Sequence, residues 1–71
     1  MQTTGIQNSY YNRVIEIPYA PEQNFALEDF VVFQDEEKQE EIGTIVFMNQ
    51  ENKNPENIMM EAHILRKATP N

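Results

Sequence analysis

The sequence predicts an all-β fold, a small antiparallel barrel of four to five short strands of the SH3-like or OB-like type. Two observations lead to this prediction. The apolar residues of the 71-residue chain fall into short runs rich in β-branched and aromatic side chains, and polar loops separate these runs. Closure into a barrel would also protect the strand edges that so small a sheet exposes. We assign this domain to residues 13–71 and expect residues 1–12 to be a flexible tail.

The tail and the first strand are assigned from local composition. Residues 1–12 are polar and show no periodicity, and Gly5 and the pair Asn8-Ser9 favour turns or disorder. Residues 13–19 are rich in branched and aromatic side chains, which is typical of a strand. Because Pro18 cannot donate a hydrogen bond to a sheet ladder, this strand is expected to end near Pro18 or to lie at an edge.

The clearest local signal is a β-hairpin. Residues 30–33 and 42–48 form compact apolar runs, and residues 34–41 between them include no apolar side chain. Charges crowded at a hairpin tip stay hydrated and discourage edge-to-edge pairing between molecules. Gly43 in the second strand indicates a β-bulge or a close approach of another backbone. The four phenylalanines of the chain, Phe30 among them, are assigned to the core.

The last element has two readings. Apolar side chains alternate from Ile58 to Ile64, as on one face of a strand. Asn54 and Pro55, however, suit the N-cap and the first position of a helix, and an apolar stripe at helical spacing also runs from Ile58 to Leu65. Periodicity alone leaves both alternatives open.

The composition excludes several classes of function. The chain carries 12 acidic and 5 basic residues, a net charge of −7, which argues against broad contact with nucleic-acid backbones. It has no cysteine, so disulfide frameworks, thiolate zinc sites and cysteine-ligated iron–sulfur clusters are excluded. Its single serine, Ser9, lies in the predicted tail and its single histidine is His63, so a hydrolytic triad is not expected. We therefore predict no enzyme activity and no cofactor.

Seven of the acidic residues lie between Glu28 and Glu41. Five of them, around the predicted hairpin tip, are candidate interaction residues: Asp35, Glu36, Glu37, Glu40 and Glu41. A metal site is not predicted, because no glycine supplies the sharp turn of a calcium loop and because Glu61 and His63 offer only two ligands. The acidic tip is instead predicted to attract a basic protein partner.

A membrane or secretory role is not predicted. The N-terminus has no basic start followed by an apolar run, and the longest apolar runs fall far short of the ~18 residues that a membrane-spanning helix needs. The expected location is the cytoplasm.

The C-terminal segment carries a family resemblance. Its residues His63-Ile64-Leu65-Arg66-Lys67-Ala68-Thr69-Pro70-Asn71 resemble a signature in the N-terminal part of the RicT/YaaT family, the bacterial polymerase-suppressor-like domain of the complex that adjusts RNase Y activity. Residues 14–19 resemble the early strand of that family, and Gly43-Thr44-Ile45-Val46 resembles its glycine-bearing strand. The turn Glu37-Lys38-Gln39-Glu40 departs from the family, whose hairpins usually turn through an Arg-Gly or similar pair.

The resemblance implies the N-terminal barrel part of a regulator of RNA processing. It favours a strand over a helix for the last element, and it implies a helix start at the C-terminus with Thr69 as N-cap and Pro70 at the first helical position. The cysteines associated with cluster binding in that family lie outside this chain.

The leading hypothesis is a non-catalytic protein-interaction module that binds through a sheet edge or through the face near Arg66, Lys67 and Thr69. We expect this basic ending and the acidic tip to be different surfaces, so that the basic ending could still meet RNA. The alternatives are a nucleic-acid-binding small barrel and a structural accessory domain of a larger protein. For the isolated domain we expect a protein partner and no nucleic acid.

Overall fold

The protein forms one six-stranded β-sheet. The computed structural model describes residues 2–8, 12–18, 25–51 and 54–68. Its strands are β1 (Gln2–Asn8), β2 (Arg13–Pro18), β3 (Phe30–Asp35), β4 (Glu40–Glu51), β5 (Ile58–Met59) and β6 (Ala62–Lys67). No helix occurs within these described ranges, and the predicted all-β class is confirmed.

The sheet is open and mixed. Its strands follow the order β5-β2-β1-β4-β3-β6, with β2 and β5 parallel and the other neighbouring pairs antiparallel. Among the described strands, β5 and β6 form the two edges and do not pair with each other, so the predicted closed barrel of four to five strands is not confirmed. Only Met60 and Glu61 separate these edge strands along the chain, which keeps the two edges close and curls the sheet around its core.

Strand β1 corrects the expectation of a flexible tail. Residues 2–8 lie in the middle of the sheet, paired with β2 on one side and with β4 on the other. Ile6 is fully buried, and the polar side chains of Thr3 and Thr4 are almost fully buried as well. The polar composition of residues 2–8 does not indicate a central strand. The structure accommodates these side chains in the middle of the sheet because they have hydrogen-bond partners inside the fold. Residues 1 and 9–11 of the predicted tail lie outside the described residues.

The second strand and the last element follow the sequence-based expectations. β2 ends at Pro18, as predicted. β5 and β6 cover most of the stretch from Ile58 to Lys67, so the strand alternative is confirmed. Asn54-Pro55 begins a turn rather than a helix, and the backbone N–H of Asn57 donates to the Asn54 carbonyl at 3.1 Å. The helix start expected at residues 69–71 lies outside the described residues.

The predicted hairpin is present as β3 and β4. Its register runs from Phe30 opposite Thr44 to Gln34 opposite Glu40. β4 is longer than predicted, because it continues to Glu51 and pairs with β1 beyond the hairpin. Two irregularities in the β1–β4 register bend β4, so that this one strand pairs with both β1 and β3.

Apolar side chains from five strands fill the inner face of the curled sheet. The buried cluster consists of Ile6, Ile15, Ile17, Val31, Phe33, Ile45 and Ile64. Gly43 lies where β4 approaches β1, since a β-carbon there would overlap the Ile6 side chain and lie 2.9 Å from the Gln7 carbonyl oxygen. Of the two alternatives predicted at Gly43, the close backbone approach is therefore confirmed, and it holds the hairpin against β1.

The hairpin turn places Lys38 in the left-handed region of backbone space. Its φ is 67°, a conformation that strains a residue with a β-carbon by roughly 1–2 kcal/mol. Lys38→Gly is therefore expected to raise the free energy of unfolding by about 0.5–1 kcal/mol, after allowance for the greater freedom of glycine in the unfolded chain. Urea denaturation would measure the change. Gln39→Gly is the control and should lower stability, because Gln39 has no positive φ; equal losses in both variants would contradict the expectation.

Candidate interaction surface

Two of the acidic residues at the hairpin tip also hold the structure together. The Asp35 carboxylate organises the turn, since its Oδ1 accepts the backbone N–H groups of Glu37 at 2.9 Å and of Gln39 at 3.0 Å. The Glu41 Oε1 accepts a hydrogen bond from the Asn8 side chain of β1 at 3.3 Å. Both residues are therefore poor choices for substitution in a binding experiment, because a variant would also change the fold.

Arg66 and Lys67 lie beside the acidic hairpin. The Arg66 Nη1 atom is 3.7 Å from Glu40 Oε1, and the Lys67 Nζ atom is 3.5 Å from Asp29 Oδ2. The cause is the antiparallel pairing of β6 with β3, which brings the end of the described chain alongside the hairpin. The expectation that the basic pair and the acidic tip form different surfaces is therefore wrong. Thr69, the third candidate contact near this pair, lies outside the described residues.

A cleft opens where the hairpin tip meets the start of β6. It has a volume of about 510 Å³, and its lining residues are Gln34, Asp35, Glu36, Lys38, Glu61, Ala62 and His63. Three of these carry carboxylates and one carries an ammonium group, so the cleft is acidic. We call it the acidic cleft.

Glu61 is a member of the acidic cleft that the sequence did not reveal. The sequence pattern associated Glu61 only with His63, as two potential metal ligands. The register of β6 on β3 sets His63 opposite Gln34 and Ala62 opposite Asp35, which brings Glu61 to the hairpin tip. Within the described part of the chain, no group of three or more acidic or histidine side chains could hold a metal ion.

The outer face of the β3–β4 hairpin exposes apolar side chains. Phe30 is 53% exposed and Ile42 is 58% exposed. Alternate residues of a strand share a face, so Phe30 and Val32, which pairs with Ile42, lie on the face opposite to the one that buries Val31 and Phe33. Val32 itself is only 5% exposed there. The assignment of Phe30 to the core is therefore wrong. A continuous apolar run such as residues 30–33 conceals the alternation of its strand.

A shallow groove lies on this outer face. It has a volume of about 230 Å³, and its lining residues are Gln7, Phe30, Ile42, Gly43 and Thr44. We call it the hairpin groove. It shares the hairpin with the acidic cleft, because Phe30 begins β3 and Asp35 ends it.

Glu16 on β2 is a buried carboxylate with a structural role. It is fully buried, and it accepts hydrogen bonds from the Thr3 hydroxyl at 2.7 Å and from the Asn57 side-chain amide at 2.9 Å. Burial of a carboxylate is costly unless hydrogen bonds compensate for its lost hydration. These two bonds tie β1 and the turn before β5 to β2. A cavity of about 100 Å³ lies beside Glu16, but the side chain does not reach solvent.

Comparison with known proteins adds no relative. The chain matches no protein-family model, no curated protein and no solved structure. The resemblance of residues 63–71 to the RicT/YaaT signature therefore stays a prediction. Within the described residues, no helix has the length and apolar character needed to cross a membrane.

Proposed function

We propose that this chain is a non-catalytic protein-interaction module that binds a basic segment of another protein at the acidic cleft. The observation that carries the proposal is the convergence of Asp35, Glu36 and Glu61 on one cleft. A lysine or arginine side chain complements such a site, because its charge would meet the carboxylates while its methylene stem packs along the wall.

The distribution of charge favours the approach of a basic partner. The chain has a net charge of −7, and seven of its acidic residues lie between Glu28 and Glu41 with Lys38 as the single basic residue of that stretch. A negative field concentrated on one part of a protein steers positively charged partners and raises their association rate, and salt weakens this effect.

The same geometry weighs against nucleic acid as the partner. Binding to a phosphate backbone depends on lysine and arginine side chains that are available to replace counterions. Arg66 and Lys67 form the single adjacent basic pair of the chain, and each lies within 3.7 Å of a carboxylate. A phosphate would have to compete with Glu40 and Asp29 for them.

The resemblance to the RicT/YaaT family supports a biological setting for this module. Under that resemblance, we propose a cytoplasmic regulator of RNA processing in which this small, barrel-like part supplies protein contacts. The chemistry of such an assembly would then belong to other parts of it.

Capture from a cell lysate on the immobilised chain, at low, physiological and high salt, tests the proposal. Glu36→Gln/Glu61→Gln removes two exposed charges from the acidic cleft, and Glu28→Gln/Glu56→Gln removes two exposed charges elsewhere as the matched control. We expect the wild-type chain to retain a basic protein at low salt and release it at high salt. The cleft variant should retain roughly tenfold less, which corresponds to the loss of one or two charge contacts, and the control should behave like the wild type.

Two results would contradict the proposal. One is that no protein is retained at any salt concentration, and the other is that both variants retain the partner equally well. A gel shift with short RNA at low salt distinguishes the nucleic-acid alternative, since a salt-sensitive shift of RNA would favour that reading instead.

A further inference from the structure

We propose that the hairpin groove receives an apolar side chain of the same basic segment that binds the acidic cleft. This inference rests on the proposed function and deepens it, because it assigns the partner a second feature besides its charge. The partner segment would then be both basic and apolar, and it would lie along the outer face of the β3–β4 hairpin.

The first argument is the exposure of two neighbouring apolar side chains on the outer face of the hairpin. Phe30 and Ile42 each keep more than half of their surface in contact with solvent, and they line the same groove. Val46, farther along β4, is 43% exposed. Single exposed apolar residues are common, but neighbouring ones around a concave surface are typical of a contact site.

The second argument is the charge around the groove, which selects the occupant. Asp29 and Glu40 adjoin the groove in sequence but already pair with Lys67 and Arg66, so the charge that selects the occupant is that of the acidic cleft at the other end of β3. A second copy of this chain would bring the same carboxylates and a further net charge of −7 toward the acidic cleft. An anionic lipid surface would be repelled in the same way. A basic segment is the occupant whose charge complements the acidic cleft.

The third argument is the distance between the groove and the acidic cleft. Phe30 and Asp35 are the two ends of β3, which corresponds to roughly 16 Å along an extended strand. An extended partner segment covers that distance with roughly four to six residues. One short segment could therefore place an apolar side chain against Phe30 and Ile42 while its lysine or arginine lies among the cleft carboxylates.

Fluorescence anisotropy with three synthetic peptides tests this inference. The leucine–lysine peptide carries a leucine and a lysine five positions apart, the serine–lysine peptide replaces the leucine, and the leucine–glutamate peptide replaces the lysine. We expect the leucine–lysine peptide to bind most tightly. Ile42→Thr should weaken its binding by about tenfold, as loss of one buried apolar contact does, and should leave the serine–lysine peptide unaffected. Val46→Thr is the matched control, since Val46 is exposed on the same strand but does not line the groove.

The outcomes separate this inference from the proposed function. Equal binding of the two lysine peptides, with no effect of Ile42→Thr, would overturn the groove and leave the basic partner in place. Failure of both lysine peptides to bind at low salt would overturn the proposed function and the inference together. Equally tight binding of the leucine–glutamate peptide would overturn the choice of a basic occupant. A concentration-dependent dimer in sedimentation experiments that Ile42→Thr dissolves would assign the groove to a second copy and overturn the inference as well.

Discussion

Removal of residues 2–8, with Met1 kept as the initiator, is expected to abolish folding. These residues form β1, which pairs with both β2 and β4 and so joins the β5–β2 side of the sheet to the hairpin. Loss of the fully buried Ile6 alone would remove about 2–3 kcal/mol of apolar burial. A chain of this size has a free energy of unfolding of only about 4–10 kcal/mol, so the remaining strands bury too little surface to stay folded.

Far-UV circular dichroism and the dispersion of amide chemical shifts would measure the effect of this truncation. We expect the truncated chain to lose its cooperative thermal transition. Gln2→Ser is the control, because Gln2 lies exposed at the end of β1 and its substitution should leave the transition unchanged. A truncated chain that unfolds like the wild type would show that residues 2–8 are a dispensable tail.

Gly43→Ala is expected to lower the free energy of unfolding by about 2–3 kcal/mol, the upper part of the range for overpacking a core. The added β-carbon would overlap the Ile6 side chain and lie 2.9 Å from the Gln7 carbonyl oxygen. That oxygen belongs to the backbone of β1, so relief requires β1 and β4 to move apart in the middle of the sheet. The midpoint of urea denaturation would report the loss.

Gly5→Ala is the comparison for this variant. A β-carbon at Gly5 would overlap the ring of Phe47, a half-buried side chain that can turn away more easily than a backbone can. We therefore expect a smaller loss of stability. The additional substitution Phe47→Leu in the same chain should recover part of the lost stability. Wild-type stability of Gly43→Ala would contradict the close approach of β4 to β1.

The parts of the fold that could be predicted are those with a local cause. The hairpin joins two apolar runs through a charged turn, and Pro18 ends its strand because it lacks an amide hydrogen. A single glycine inside a strand, Gly43, indicates a β-bulge or a close backbone approach, and the close approach is present. Each of these signals lies within a few residues of the feature that it predicts.

The parts that could not be predicted depend on contacts between distant residues. Thr3 belongs to a central strand partly because Glu16 accepts a hydrogen bond from its hydroxyl group, 13 positions along the chain. Arg66 faces Glu40 because β6 pairs with β3, and no local pattern encodes that pairing. The exposure of Phe30 likewise follows from the register of its strand against β4.

The candidate site likewise has one part that could be predicted from the sequence and one part that depends on contacts between distant residues. The concentration of carboxylates at the hairpin tip could be predicted from the sequence, and the structure adds Glu61 to them through the β3–β6 pairing. The hairpin groove could not be predicted, because it needs Gln7 of β1 beside Phe30 and Ile42. Short apolar runs show that a strand is present but do not show which of its faces is covered.

Mapping of amide chemical shifts during titration with the leucine–lysine peptide tests the central claim most directly, since it locates the bound segment on the folded chain. The account predicts the largest changes at Phe30, Ile42 and Thr44 in the hairpin groove and at Gln34 and Glu36 in the acidic cleft. Changes confined to β2 and β5, which lie at the other end of the strand order, would contradict the account. So would the absence of any change at low salt.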